Sequence, residues 1–394
     1  MFYRRSILAC LIVISVFISL VGCNAIPADF PVDIPTFPTD LPMTDVPVEL
    51  PTEPPVVADT PTPTWWDVYF TDPLTVNDPN NISNSIEQQL IDRINAAQIS
   101  IHIASFEFDL DPVAEALIAA HNRGVDVKWV TDNEHGMEAD TEPGGGQFAM
   151  LQNAGIEVRA DTRSALMHNK FWIFDGQILW TGSTNITKSG IFVQDNNTIV
   201  IRSIKLAEIY EVEFQEMWDG QFGPKSPSQL ADQSIVVNGA SIQVIFTSED
   251  HALEQTIIPL VSTATSSIRF LAFSFTDFPL ADAMIQRAAQ GVDVAGVFDK
   301  TQAGGQGAEL GTFFCAGVPV RNDGNKQFMH NKVIVVDERY VITGSLNFST
   351  SADESNDENV IIIDNPEIAQ LYMQDFERVW NIGTDPDPAK VTCP

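Results

Sequence analysis

Beyond residue 65 the chain alternates between two hydrophobic periods. Runs dense in apolar residues, such as Ser100–Phe108 and Phe171–Phe174, read as buried strands. Stretches such as Val113–Asn122 carry the three-to-four-residue spacing of one helix face. A glycine turn at Gly124 closes that helix, and a further buried strand follows. The series is then repeated. Ser100-Ile101-His102-Ile103-Ala104-Ser105-Phe106-Glu107-Phe108 returns from Ser267 to Phe275, and Gly124-Val125-Asp126-Val127 returns as Gly291-Val292-Asp293-Val294, both displaced by 167 residues. The second copy has its own helix over Leu280–Gln290. Both copies end in spaced aromatics, Phe214 and Trp218 against Phe376 and Trp380, that read as helix core packing. Each copy is thus a strand–helix–strand unit. The pattern predicts an α/β fold of two pseudo-symmetric repeats. Each is a mostly parallel sheet flanked by helices, and the two pack face to face about a pseudo-two-fold axis. Whatever both copies carry should meet at that axis in one shared active site.

Upstream of the repeats the pattern changes twice. Arg4 and Arg5 precede an apolar run from Ile7 to Val21, the length of a signal-peptide core and short for a bilayer span. It ends in Leu20-Val21-Gly22-Cys23, which resembles the lipobox of bacterial lipoproteins. That resemblance implies a signal peptide over residues 1–22, lipidation of Cys23, and a membrane-anchored protein on the extracytoplasmic side. Residues 23–64 are rich in Pro and Thr, as in Pro61-Thr62-Pro63-Thr64, and read as a stiff extended linker. The folded part divides into 65–235 and 236–394.

With 394 residues, 44% of them hydrophobic, the chain supports a large core. Its formal charge of −32 provides no broad basic surface for coating nucleic acid, although a local basic pocket remains compatible with it. Setting aside Cys10 and Cys23, the remaining Cys315 and Cys393 are available to pair in an oxidising compartment. No C-x-x-C spacing points to zinc.

The chemistry is concentrated in a second duplicated element. His168-Asn169-Lys170, then Asp175, then Gly182-Ser183-Thr184-Asn185 recurs as His330-Asn331-Lys332, Asp337 and Gly344-Ser345-Leu346-Asn347, with the same internal spacing. This H-x-K-x4-D signature followed by G-S-x-N resembles the phospholipase D superfamily, and the flanking repeats extend the likeness over about Val68 to Gly383. The second half is particularly similar to the small endonuclease branch, whose single-motif chains dimerise to build one site. The spacing also has a physical logic. Period-two alternation places His168 with Lys170, and His330 with Lys332, on one strand face. The glycine then admits close backbone approach, and Ser and Asn offer hydrogen-bond donors. Two His, two Lys and two Asn around one centre suit a tetrahedral phosphoryl group. One imidazole attacks phosphorus while the other protonates the leaving alcohol. Lys170, Lys332, Asn185 and Asn347 hold the non-bridging oxygens. The resemblance implies catalysis without a metal or other cofactor, and no convergent carboxylate cluster is evident in the sequence.

The halves differ at one supporting position. Glu358 stands 28 residues after His330, where the resembling nucleases place a histidine-orienting carboxylate, and the same interval after His168 gives Asn196. A carboxylate raises imidazole basicity more than an amide does, which favours His330 as nucleophile. Precedent among two-motif phospholipases favours the N-terminal histidine instead. Asp175, Asp337, Ser183, Ser345 and Asn196 are expected to support the site structurally. His102, His121, His135 and His251 lack counterparts and read as surface or satisfied histidines. Glu107 and Asp109 stand where they would line the cleft mouth, or simply be solvated. The glycine-rich segments at 143–146 and 304–307 do not continue into a P-loop lysine and read as rims.

Both motifs lie on one chain, so a monomer should suffice. The expected substrate is a phospholipid head-group diester, hydrolysed or exchanged with an alcohol beside the membrane. The alternative is cleavage of DNA or RNA, which the acidic charge disfavours. The third reading, an inactive binding module, conflicts with the complete His/Lys/Asn set in both copies.

Overall fold

The computed structural model describes residues 64–141, 145–226 and 233–393. The expected signal segment, Cys23, the linker up to Pro63 and part of the 143–146 rim lie outside the described residues.

The first half runs β1 (Trp66–Phe70), α1 (Ile86–Ala96), β2 (Ser100–Ser105), α2 (Asp111–Asn122), β3 (Asp126–Thr131), α3 (Gln147–Asn153) and β4 (Glu157–Ala160). It continues through β5 (Lys170–Phe174), β6 (Ile178–Gly182), α4 (Lys188–Phe192), β7 (Asn197–Arg202) and α5 (Ile204–Trp218). The second half runs β8 (Ser234–Val237), β9 (Ala240–Thr247), α6 (Ile258–Ser262), β10 (Ser267–Ala272), α7 (Phe278–Ala289), β11 (Asp293–Phe298) and α8 (Leu310–Cys315). It ends with β12 (Val320–Asn322), β13 (Lys332–Val336), β14 (Tyr340–Gly344), α9 (Thr350–Glu354), β15 (Glu358–Asp364) and α10 (Pro366–Ile382).

The α/β character and the duplication are as expected, but the sheets are mixed rather than mostly parallel. The orders are β1-β7-β6-β5-β2-β3-β4 and β12-β11-β10-β13-β14-β15-β9-β8. Only β2–β3, β3–β4, β10–β11 and β11–β12 pair in parallel. The crossover helices α2 and α7 enforce β2–β3 and β10–β11, and α3 and α8 lie in the links to β4 and β12, whereas the motif strands β5–β6 and β13–β14 are tight hairpins and therefore antiparallel. The crossover helices begin two residues earlier than their hydrophobic pattern suggests. Pro112 and Pro279 occupy the first turn, where the missing N–H costs nothing, and the Asp277 side chain accepts from Leu280 N–H to start α7.

Period-two alternation divides each sheet between two cores. Phe171 and Ile173 of β5 face a central cluster, while Trp172 and Phe174 face an outer cluster with α1, α2 and α3. In the second half Val333 and Val335 face the centre, and Ile334 and Val336 the outer layer with α6, α7 and α8. The sheets do not meet face to face throughout, because α5 and α10 occupy the central layer too. Tyr210 of α5 packs edge-on against Phe246 of β9, and Tyr372 of α10 against Phe70 of β1, so each helix bridges to the opposite sheet. The paired aromatics lie on these helices: Phe214 stacks on Trp218 and Phe376 on Trp380, at centroid distances of 5.6 and 5.7 Å.

Cys315 at the end of α8 is disulfide-bonded to Cys393, closing a span of 78 residues. In the loop-entropy account a closure of that length stabilises by roughly 4 kcal/mol, within a usual range of about 2–5. Cys393→Ser is expected to lower unfolding stability by about 2–4 kcal/mol in urea titration. A loss below about 0.5 kcal/mol would show that the tail is held without the bond.

Candidate active site

The two motif hairpins point their starts at one another across the axis. Gly182 and Gly344 have φ of +148° and +143°, and a Cβ on either would lie 2.3 or 2.1 Å from the Asn197 or Asn359 carbonyl oxygen. Only glycine lets the strand end come that close to β7 or β15.

Each catalytic-motif backbone is pinned by the opposite half. His168 N–H donates to Asp357 O (2.9 Å), and His330 N–H to Asp195 O (2.8 Å). Buried amides complete the join. Asn359 Nδ2 donates to Asn169 Oδ1 (3.0 Å) and Asn197 Nδ2 to Asn331 Oδ1 (2.7 Å), while the Thr181 and Thr343 hydroxyls donate to Asn359 Oδ1 and Asn197 Oδ1. Sequence reasoning passed over Asn169, Asn331, Asn197 and Asn359, although all four recur at matched positions. A buried amide network of this kind fixes register, since any slip leaves polar groups unpaired.

The side chains that the sequence singled out converge as two crossed sets. His168 Nδ1 lies 2.7 Å from Glu358 Oε2, and His330 Nδ1 lies 3.0 Å from Asn196 Oδ1. This overturns the expectation that Glu358 supports His330. The 28-residue interval counts along one repeat, but the repeats interleave, so the residue at that interval faces the other repeat's histidine. In both pairs the supporting oxygen accepts from Nδ1–H, which leaves Nε2 as the reactive nitrogen. Glu358 Oε1 also accepts from Asn356 Nδ2 (3.1 Å).

The motif serines do not face a phosphoryl group as donors. The Ser183 hydroxyl donates to Asn196 Oδ1 (2.8 Å) and that of Ser345 bonds Glu358, so each holds the group that holds a histidine. Asp175 and Asp337 lie at the far ends of β5 and β13 from the lysines. The Asp175 carboxylate accepts from the N–H groups of Gln98, Ile99 and Ser100, and that of Asp337 from Thr265, Ser266 and Ser267. They cap the turn before β2 and β10.

Lys170 and Lys332 are 2% exposed, and each donates to the carbonyl of its own motif histidine at 2.8 Å. Burial lowers Lys170 to about 8, with Glu358 and Glu107 pulling the other way. Burial and Lys170 together lower Lys332 well below its usual range. Burial, reinforced by both lysines, also pushes His168 and His330 well below the normal imidazole value. Burial raises Glu358 to about 7, opposed by Lys170. Burial and the two lysines therefore favour neutral imidazoles, and an anion bound between the lysines shifts the balance back toward an imidazolium.

Phe106 and Phe273, also unremarked in the motif reading, directly follow the matched strands β2 and β10. Each ring stands edge-on to a motif histidine at 4.7 Å, Phe106 to His168 and Phe273 to His330, and lies 5.0 and 4.7 Å from the Lys170 and Lys332 Nζ atoms. Asn185 donates to Glu107 at 2.8 Å, and the Oδ1 atoms of Asn185 and Asn347 are buried without a partner. His102 is satisfied by Glu211 and Asp126. His135 is exposed beside Phe106, at the rim of the first half. The sequence reading found no convergent carboxylates, yet Glu213 and Glu216 of α5 and Glu249 after β9 bring oxygens within 4.8 Å of one another, outside the His/Lys centre.

The family model for "Cardiolipin synthase, PLD-like domain" matches residues 90–218 and 257–380. A mitochondrial cardiolipin hydrolase of Xenopus tropicalis is 36% identical over 133 residues, covering 34% of this chain and 62% of the relative. A phospholipase D of Rickettsia bellii is 36% identical over 116 residues, covering 29% and 58%. The shared stretch is thus about three fifths of those curated relatives' length. Among solved structures, phosphatidylserine synthase of Haemophilus influenzae aligns over 75% of this chain and 83% of its own at a TM-score of 0.56 and 16% identity, a likeness of fold. The segments that the family model matches are the two halves that interleave at the His/Lys centre, and together they span more than half of the sequence, so the protein belongs to the phospholipase D superfamily.

Proposed function

We propose that this chain is a phospholipase D-type phosphodiesterase acting on phospholipid head-group diesters through a phosphohistidine on His168. The observation that carries the role assignment is the contact from His168 Nδ1 to Glu358 Oε2 across the axis. The carboxylate raises the basicity of Nε2, whereas Asn196 only orients His330. His168 Nε2 forms the bond to phosphorus as the phosphorus–oxygen bond to the alcohol breaks. The departing oxygen keeps the electron pair and takes a proton from His330 Nε2–H. Neutral His330 next takes a proton from water, whose oxygen bonds phosphorus while the phosphorus–nitrogen pair returns to His168. An alcohol in place of water gives head-group exchange. Lys170, Lys332, Asn185 and Asn347 stabilise the charge on the non-bridging oxygens, where a dry setting makes each interaction count for more. A single chain supplies every one of these groups.

The names of the relatives support a phospholipid substrate. The lipobox-like segment supports anchoring beside a bilayer outside the cytoplasm, and the paired Cys315 and Cys393 are in keeping with an oxidising compartment. The test is an assay of head-group release from phospholipid micelles beside labelled single- and double-stranded nucleic acid, all in EDTA, with His330→Ala as control. Release from lipid with nucleic acid left intact is expected. Strand cleavage with lipid untouched would replace this reading by a nuclease, and complete loss in EDTA with rescue by one divalent metal would refute the mechanism.

A further inference from the structure

The duplication provides an internal control for every residue at the centre. His168, Lys170, Ser183, Asn185 and Phe106 each have an identical mate in the other half. Two carboxylates there lack an acidic mate. One is Glu358 against Asn196, which the mechanism uses. The other is Glu107, whose mate at the 167-residue displacement is Ser274, and which the mechanism leaves without a role.

Glu107 is placed to be felt by a substrate. It follows Phe106, whose ring lies on His168, and it is half-buried with its Oε2 accepting from Asn185 Nδ2 at 2.8 Å. Its charge reaches both lysines, since it favours the protonated form of Lys170 and of Lys332. At the matched place in the second half Ser274 carries no charge, and Asn347 has a buried Oδ1 without a partner. A carboxylate beside a centre built for an anion opposes binding of that anion, and in a half-buried setting the opposition is poorly screened. Lys170 and His135 face the same carboxylate and meet part of its charge, and a ligand that brings a positive charge to that wall meets the rest.

We propose that Glu107 is a specificity-determining residue. It selects diesters that carry an ammonium group close to the phosphate over diesters flanked by further negative charge. The inference rests on the phosphodiesterase reading above and refines its substrate class. It gives the first half of the cleft an acidic wall and leaves the second half neutral at the matched place. A phosphodiester with a cationic head group satisfies the lysines and Glu107 together. An anionic head group, or the next phosphate of a nucleic-acid strand, satisfies only the lysines and is repelled by Glu107.

The test compares kcat/KM for phosphatidylethanolamine and phosphatidylglycerol, each at equal mole fraction in non-ionic detergent micelles. A soluble pair, 4-nitrophenyl phosphorylcholine and bis(4-nitrophenyl) phosphate, is run in parallel. Glu107→Gln keeps an acceptor for Asn185 and removes the charge. Glu107→Ser installs the residue that the other repeat already carries, so it guards against a folding artefact. The wild-type preference for the ammonium-bearing member of each pair is expected to fall about tenfold in both variants, the size of a single well-placed charge interaction of about 1.4 kcal/mol. A purely structural role would lower all four activities together and leave the ratios fixed, and fixed ratios overturn the proposal. Turnover of the soluble diesters with both lipids untouched sinks the lipid reading, while the soluble pair still decides the role of Glu107. A wild-type protein inert on all four sinks both.

Discussion

His168→Ala is expected to abolish the covalent phosphoryl-enzyme and to cut diester turnover by at least about 10³-fold, while His330→Ala retains part of the first step. The difference lies in the leaving group. A poor leaving alcohol needs the proton from His330, so phospholipid turnover should fall in either variant by about 10²–10⁴. 4-Nitrophenolate departs unprotonated, so with bis(4-nitrophenyl) phosphate His330→Ala should still release one equivalent of nitrophenol in a burst and then stall. Glu358→Gln should slow that burst more than Asn196→Ala does, because it weakens the base that attacks rather than the acid that assists. Rapid quenching and peptide mass spectrometry then locate the phosphoryl group. Finding it on His330 would reverse the assignment and detach the nucleophile from the carboxylate that the geometry places on His168.

The second large effect concerns stability. Arg378 of α10 reaches Asp195 of the first half (2.9 Å) and Asp375 within its own helix (2.7 Å), and it also donates to Thr71 O. Asp195 and Asp375 are buried, and burial pushes both carboxyls above their normal range, Asp375 to about 7, against the pull of the guanidinium. Arg378→Leu strands two buried carboxylates, and breaking one side of a buried ion pair costs about 3–5 kcal/mol. Because the Asp195 carbonyl holds His330 N–H, activity should fall at denaturant concentrations where the rest of the fold persists. Adding Asp195→Asn should recover part of the loss by removing one unpaired charge. A change in unfolding free energy under about 1 kcal/mol for Arg378→Leu would show that water already solvates these carboxylates. Arg163 and Asp357 form the counterpart across the axis.

Much of this was legible because it is periodic or repeated. Alternation along β5 and β13 sorts Phe171 from Trp172 without knowledge of the fold, and duplication marks which polar residues share the centre. The strand directions were less legible. The first strand–helix–strand unit is parallel, but the short links from Phe174 to Ile178 and from Val336 to Tyr340 permit only a hairpin, and extending the parallel reading over them ignored loop length. The crossing of Glu358 to His168 was not legible in the 28-residue interval. A sequence interval measures distance along one chain segment, whereas this contact is set by how β15 of one repeat abuts the strand start of the other. The amide pairs Asn169–Asn359 and Asn331–Asn197 would have revealed the crossing, since asparagines buried beside a motif need partners that their own repeat does not supply.

The crossed support makes the difference between the two histidines' surroundings a property of residues outside both motifs. Where two identical chains assemble such a centre, the two supporting positions are copies of one codon and change together. Joined in tandem, they are free to diverge, and here one has become a carboxylate while its mate is an amide. Each half therefore supplies the group that supports the imidazole borne by the other half. Neither repeat, cut out and folded alone, would hold a correctly supported histidine. The covalent join lets two identical imidazoles stand in unlike surroundings.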